Sequence, residues 1–436
     1  MSFIAELNDS NVAVANGTEI ITQSPGVAVL LNDKLELGQR ALGMARLYPQ
    51  NTHSRFWSEL SLDKLKTTTT LARHNADLAF AHLRLIHEQA GKPETMVFAV
   101  PGSLSDEQLS LLAGLIEAAP FGVTSMVDAA VAAVAGKAME GHCQYVDVAL
   151  HQTVITELQV TDSVKRLDVK VIDDTGLSTV YDRCADVIAG LFIEQSRFDP
   201  LHHAETEQAL YDLLPGCLEA LQQRDEVSLE INYQQTRYQT RLNKQALMPA
   251  LSALHETIGK TIRAATSGDY LLLNHRGTIV PGLRAQLGDS LVVDHRAVFR
   301  GATLLPSATG GELHFASEIK LNAKPVRSAA AKKKLATNTD IRPAATHLLI
   351  GHAAWPVTPD GLHLAAGEPP LRNKHHGIDC VFRLQQQGVV LDCDAAADIR
   401  LNGEPVSGSR ELHSGDDIST PQTDTIRAIR VLTGHG

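Results

Sequence analysis

Ser24-Pro25-Gly26-Val27-Ala28-Val29, then Leu37-Gly38-Gln39-Arg40-Ala41, then Tyr48-Pro49-Gln50-Asn51-Thr52, is the stretch on which the reading of the fold turns. Around it, short β-branched runs at 11–15, 19–22 and 27–31 alternate with the turn signals Asn16-Gly17 and Asn32-Asp33. Asn-Gly tolerates positive φ at little cost, so this pattern predicts an antiparallel meander with a tight hairpin. Across 61–91 the period changes. Leu71, Leu78 and Leu85, with Ala72, Ala79 and Ile86, make an apolar stripe at heptad spacing that predicts a helix. A buried strand is expected at 96–100, stopped by Pro101-Gly102, and Ser105-Asp106-Glu107 opens another helix with an N-cap and an acidic first turn. A core strand at 145–150, helices at 179–195 and 244–265, a hairpin at 226–242 and a strand at 269–273 continue the series and give an α/β class.

With 436 residues the chain exceeds what one hydrophobic core usually holds, which predicts more than one domain. The net charge of −11 argues against a nucleic-acid partner. No apolar run approaches the roughly 20 residues that span a bilayer, so no membrane partner is expected. The opening Met1-Ser2-Phe3-Ile4-Ala5-Glu6 lacks the basic start of a signal peptide. Cys143, Cys184, Cys217, Cys380 and Cys393 have no CxxC spacing and fit the reduced thiols of a cytoplasmic protein, although Cys380 and Cys393 fall where neighbouring strands would set them face to face. The adjacent pairs His202-His203 and His375-His376 point to opposite faces if extended, so no metal is expected there. No nucleophile elbow, HExxH or Walker A pattern is present.

The three opening segments, in their order, resemble the start of the nucleotide-binding domain of DnaK-type (seventy-kilodalton heat-shock) chaperones, in the actin-like ATPase superfamily. Val100-Pro101-Gly102-Ser103-Leu104-Ser105-Asp106-Glu107-Gln108 is similar to that family's Val-Pro-Ala-x-Phe-x-Asp-x-Gln segment. The small-residue stretch from Val127-Asp128-Ala129 to Ala135-Gly136 resembles its Glu-Pro-Thr-Ala-Ala-Ala-Leu-Ala-Tyr-Gly helix. Asp173-Asp174-Thr175-Gly176-Leu177, the turn Arg276-Gly277-Thr278-Ile279-Val280-Pro281 and the run from Ala297 to Ala302 resemble later elements of the second lobe. The resemblance implies a two-lobed actin-like ATPase fold with ribonuclease-H-like cores over 1–317, with lobe I at about 1–172 and lobe II at about 173–317.

That family grips Mg-nucleotide with glycine-rich hairpins whose backbone amides approach the phosphates closely. Here Glu6 stands at the metal-binding Asp, and Asn8, Asp9 and Ser10 replace the glycine and the Thr pair. At the second hairpin Asp147 matches an acid, but Ala149-Leu150-His151-Gln152 fills the Gly-Gly-Gly-Thr stretch. At the adenosine loop Asn274-His275-Arg276-Gly277 leaves one glycine, and Asp128 stands one place out of register from the catalytic Glu. The expectation is a pseudo-ATPase: Glu6, Asp128 and Asp147 as remnant acids, and Asn8, Asp9, Ser10, His151, Gln152, Asn274 and Gly277 as remnants of the nucleotide site. No cofactor is expected, and any binding of ATP or ADP with Mg would be weak. A divergent chaperone-like ATPase using the same acids is the alternative.

Between 318 and 345 the composition turns basic, through Lys320, Lys324, Arg327, Lys332, Lys333, Lys334 and Arg342, and reads as an exposed linker. Short strands then predict a small all-β sandwich over 346–436. Its Ile399-Arg400-Leu401-Asn402-Gly403-Glu404 and Leu412-His413-Ser414-Gly415-Asp416-Asp417-Ile418 resemble the forkhead-associated family. That resemblance implies phosphothreonine docking by His352, Asn373, Lys374 and Asn402, with His376 as a structural histidine. Three of these docking positions lack the family's residues: His352 replaces Arg, Asn373 replaces Ser and Lys374 replaces Arg, which costs the bidentate guanidinium. The functional expectation is a bacterial, cytoplasmic, non-catalytic scaffold that works through protein partners, with a phosphothreonine reader as a further alternative.

Overall fold

At Asn16-Gly17 the chain reverses as its sequence requires, with Gly17 at φ 62° joining β2 (Val12–Asn16) to β3 (Glu19–Ser24). The protein is described here from a computed structural model, in which residues 3–32, 34–137, 139–264, 268–305, 315–322, 345–350, 353–358, 361–364, 380–385, 388–393, 399–406, 408–420 and 423–431 are placed. The chain divides into two units, Met1–Leu335 and Ala336–Gly436.

In the first unit β1 (Phe3–Glu6) pairs antiparallel with β2, and β2 with β3. A small sheet of β4 (Ala28–Leu30), β5 (Leu35–Leu37) and β6 (Thr52–His53) carries the short helix α1 (Gln39–Leu42). The helix α2 (Asn75–Gln89) leads to β7 (Thr95–Val100), α3 (Asp106–Glu117), β8 (Gly122–Asp128) and α4 (Ala129–Ala135). Strands β7 and β8 add in parallel beside β1, so the sheet runs β3-β2-β1-β7-β8.

The same construction follows a second time. Strands β9 (Gly141–Val148), β10 (Gln152–Val160) and β11 (Ser163–Asp173) form an antiparallel meander. After α5 (Leu177–Ser196), α6 (Ala204–Ala220), the hairpin β12 (Glu226–Tyr233) to β13 (Thr236–Asn243) and α7 (Met248–Ala264), β14 (Tyr270–Asn274) joins β9 in parallel. Beyond the short α8 (Leu283–Gln286), β15 (Leu291–Val293) joins β14 in parallel. The order is β11-β10-β9-β14-β15, the same as in the first sheet, so the second construction begins at Gly141 and not near 173 as expected, because β9 pairs with β14.

Alternation along the strands sorts the core into layers. Ala5, Val14, Phe98 and Met126 pack against α2 and α3, whereas Ile4, Ala13, Ala99 and Val127 face α4 and α9 (Ala297–Ala302). Tyr145, Leu158 and Leu272 of the second sheet close on those same two helices, while Val146, Ile155 and Leu273 face α5, α6 and α7. Two short helices thus lie between the sheets, α4 wholly of alanine and valine and α9 carrying Phe299 and Arg300 among small residues. A Cβ at Gly301 would overlap the Ala132 carbonyl, reaching 2.6 Å from its carbon, and one at Gly136 would strike the Ala297 carbonyl.

The last segment of the unit ties both sheets together. Strand β16 (Phe315–Ala316) pairs parallel with β8, and β17 (Glu318–Lys320) pairs antiparallel with β11, burying Ile319. The basic stretch assigned to a linker therefore begins as a strand, because Ile319 supplies an apolar anchor that the composition of the surrounding residues hides.

The helix expected over 61–91 is shorter. It starts at Asn75, where His74 and Asp77 form a capping box, and Leu71 stays 46% exposed. The heptad spacing of Leu71 is coincidental, since residues 61–74 are not helical. Within the helix His82 is fully buried between Ser24 Oγ, at 2.8 Å, and the Trp57 indole N–H, at 3.0 Å, and burial pushes its pKa down to about 3.

In the second unit β18 (His347–Ile350), β19 (Ala353–Pro356), β20 (Leu362–Leu364), β21 (Cys380–Gln385), β22 (Gly388–Cys393), β23 (Arg400–Leu401), β24 (Glu404–Pro405), β25 (Gly408–Leu412), β26 (Asp417–Thr420) and β27 (Thr423–Ile429) form two sheets. Their orders are β19-β18-β27-β26-β23-β24 and β20-β21-β22-β25. Leu348, Ile418 and Ile426 from one sheet meet Phe382, Leu391 and Leu412 from the other in a shared core. Cys380 and Cys393 stand opposite one another in the β21–β22 register. Among the described residues no helix is long and apolar enough to cross a membrane.

The contact between α4 and α9 generates a test. Gly301→Ala has no room for its methyl group, and overpacking of this kind costs about 3 kcal/mol. Guanidinium unfolding should show that loss, and an unchanged midpoint would contradict the close approach.

Candidate functional site

The carboxyl ends of β1, β8, β9 and β14 converge, and loops at such ends are where α/β sheets place their ligand crevices. Glu6 ends β1, Asp128 ends β8, Asp147 lies one residue before the end of β9, and Asn274 ends β14. Each polar side chain here is held by a neighbour from another segment.

Arg276, in the 3-10 turn His275–Ile279 that follows β14, reaches between the two sheets. Its Nη2 donates to Glu6 Oε1, and its Nε lies 3.8 Å from Asp147 Oδ1. The guanidinium is only 8% exposed. Burial alone would weaken its charge, but Glu6 and Asp147 outweigh this and raise its pKa further. Asn274 Nδ2 donates to Asp147 Oδ1, and its Oδ1 accepts from the Gly277 N–H at 2.8 Å. Asn8 Nδ2 sits 3.4 Å from both Asp147 oxygens, while its Oδ1 accepts from Ser10 N and Oγ at 3.0 and 2.6 Å.

The second hairpin is closed from the first. Asp9 Oδ1 accepts the Leu150 backbone N–H at 2.7 Å, and the Asp9 carbonyl accepts from Gly26 N at 2.8 Å. His151 Nε2 donates to the Ser54 carbonyl at 3.0 Å, and Gln152 Nε2 donates to Ser103 Oγ at 3.0 Å. Burial, reinforced by the Arg55 charge, pushes His151 down to about 4, so it acts there as a neutral ring. Asp128 serves two roles. Its Oδ1 caps α4 through the Ala130 and Val131 amides, and its Oδ2 accepts from Arg166 Nη1 at 2.8 Å.

Further out, side chains bridge the same two halves. Arg46 Nη2 donates to Asp182 at 2.8 Å, and its guanidinium carbon lies 3.5 Å from the centre of the Tyr211 ring. Gln208 accepts from Arg46 N at 2.8 Å and donates to the Leu42 carbonyl at 3.0 Å, and Arg55 pairs with Asp174 at 2.8 Å. These contacts join the loop after α1 to α5 and α6.

The electrostatic balance is uneven. Glu6, Asp9, Asp128 and Asp147, all buried, face Arg166 and Arg276, leaving negative charge in excess. Burial accordingly pushes Asp9 up to about 6, against the opposing Leu150 N–H and with the help of Asp147. Asp147 rises to about 6 for the same leading reason, with Arg276 opposing the shift and Glu6 adding to it. Asp9 Oδ2 and Arg276 Nε are buried without a hydrogen-bond partner.

Sequence reasoning marked Glu6, Asn8, Asp9, Ser10, Asp128, Asp147, His151, Gln152, Asn274 and Gly277, and all of them lie at these strand ends or in the turns that follow them, Gln152 where its turn enters β10. It missed Arg276 and Arg166. The available signal was an arginine directly after a buried strand, in a loop that should be glycine-rich. The Mg-nucleotide implied by the resemblance does not fit these residues. A guanidinium stands between Glu6 and Asp147, and the Asp9 carboxylate holds the hairpin amide.

In the second unit Asn402 (φ 52°) and Gly403 (φ 88°) make the turn between β23 and β24. The Asn402 amide donates to Asp416 Oδ1 at 2.8 Å and accepts from Asp417 N at 3.0 Å, bracing one loop against another. His352, Asn373, Lys374 and His376 lie outside the described residues.

Comparison of the chain with protein-family models and with curated proteins returns no match.

The burial of Asp9 sets a direction for pH. Asp9 titrates near 6 in the folded chain against 3.8 ordinarily, so folding takes up a proton in that window and stability falls as pH rises through it. Asp9→Asn keeps the acceptor for Leu150 and removes the charge. It should gain about 1–3 kcal/mol at pH 7, shrinking toward zero near pH 4. Denaturant unfolding at both pH values checks this, and a loss at pH 7 would contradict it.

Proposed function

We propose that the first unit is a DnaK-like, actin-type fold that has given up nucleotide turnover and acts as a rigid two-lobed scaffold in a bacterial cytoplasm. The C-terminal unit, read as forkhead-associated-like, is its docking module for protein partners, and together the two units assemble or regulate a larger complex.

The observation that carries this reading is Arg276, a buried cation fixed between Glu6 and Asp147 where a catalytic metal would have to act. Hydrolysis of a phosphoanhydride needs a metal or equivalent charge free to move onto the phosphates, and amides free to cradle them. Here the charge is tethered and the Leu150 amide is taken by Asp9. The repeated strand order, with two short helices between the sheets, supports two related lobes. The bridges from Arg46, Arg55 and Gln208 support lobes that stay together. The bracing role of Asn402 favours docking by shape over phosphate recognition through its amide.

Thermal unfolding with millimolar Mg·ATP or Mg·ADP tests the reading. A ligand at 100 times its dissociation constant adds roughly 2.7 kcal/mol, which would raise Tm by several degrees. The scaffold reading expects no shift and no phosphate release. A clear shift with turnover abolished by Asp147→Ala would replace it with a divergent ATPase, and phosphothreonine-peptide binding lost in Asn402→Ala would make the second unit a reader.

A further inference from the structure

We propose that the crevice of the first unit carries its own ligand: the Arg276 guanidinium takes the place of a divalent cation and the Asp9 carboxylate the place of an anion, so the lobes are clamped by tethered groups. This inference deepens the scaffold reading and rests on it.

The geometry is that of a cation bridge. Glu6 closes β1, one of the two middle strands of the first sheet, and Asp147 lies near the end of β9, one of the two middle strands of the second. Among the described residues Arg276 is the only cation placed against both, and it reaches them from a turn that follows a strand of the second sheet. Two buried carboxylates from different sheets repel one another unless a positive charge lies between them. A free divalent ion would supply that charge only when bound, whereas Arg276 supplies it in every folded molecule.

The anion side follows the same logic. A turn amide at the carboxyl end of a strand is a natural partner for a phosphate or carboxylate. The Leu150 N–H has such a partner in Asp9 Oδ1 at 2.7 Å, supplied by the opposite hairpin. Both substitutions cross from one sheet to the other, and the Arg46 and Gln208 contacts further out join the same halves. The charge between Glu6 and Asp147 and the acceptor on the Leu150 amide are both supplied by side chains of the chain itself.

The consequence is a latent cation site that opens only when the guanidinium is removed. Thermal unfolding of the full chain tests it, using wild type, Arg276→Ser, and the neutral triple variant Arg276→Met, Glu6→Gln, Asp147→Asn. Millimolar Mn²⁺ is the probe, with NaCl at matched ionic strength as control. Arg276→Ser should lower Tm by roughly 6–15 °C, the loss expected when one partner of a buried ion pair is removed. Mn²⁺ should recover at least half of that fall, NaCl should not, and wild type should ignore both. The triple variant should fold near wild-type stability and ignore Mn²⁺.

Arg276→Ser that shows no fall, or a fall that Mn²⁺ does not reverse, overturns the proposal. If Arg276→Ser does not fold, a triple variant that folds near wild-type stability supports charge compensation, and one as unstable as the single variant overturns it. The scaffold reading fails separately, through nucleotide turnover by the wild-type chain, which none of these cation measurements requires.

Discussion

One buried guanidinium held between carboxylates from two different sheets is the interaction on which the first unit depends. Removing ions from water costs several kcal/mol each, and only close opposite charge with good hydrogen bonding offsets this. Arg276 meets that condition through Glu6 and Asp147, with Asn274 and Asn8 covering the remaining Asp147 acceptor positions. The arrangement fixes the turn after β14, the end of β9 and the end of β1 relative to one another. Nearby, Asp9 Oδ2 is buried without a hydrogen-bond partner, which is a local cost.

The pair meets only because the layers beneath it are thin. The helices α4 and α9, between the sheets, carry mostly alanine, valine and glycine, and their backbones touch at Ala132 and Gly301. Larger residues would spread the sheets and pull Glu6 away from Asp147. The strand β17 secures the outer edge of the second sheet, and Arg166 connects that edge to Asp128 and the Phe315 ring. Packing thus sets the distance, and electrostatics then uses it.

Local chemistry made much of this legible in advance. Asn16-Gly17 announced its hairpin, Ser105 the N-cap of its helix, and the hairpin expected at 226–242 is the β12–β13 pair. The small-residue stretch from Val127 to Gly136 was legible as a helix. The apolar stripe through Leu71 misled, because helical periodicity continues past a start that the His74–Asp77 cap determines. Arg276 was the larger omission. A charged residue in a turn ordinarily reads as solvated, and nothing local reveals that β14 inserts beside β9 and carries it to a glutamate near the start of the chain. The acids were readable as a set, whereas their counter-ion was a product of topology. In the second unit Asn402 was readable as a turn residue, but its bonds to Asp416 and Asp417 depend on a loop brought alongside by the β23–β26 pairing.

The most direct measurement is a crystal structure of the full chain grown in millimolar Mg·ADP. The account predicts Arg276 bridging Glu6 and Asp147, the Asp9 carboxylate on the Leu150 amide, and no nucleotide in the crevice. A bound nucleotide with a metal between Glu6 and Asp147 and Arg276 turned away would contradict it.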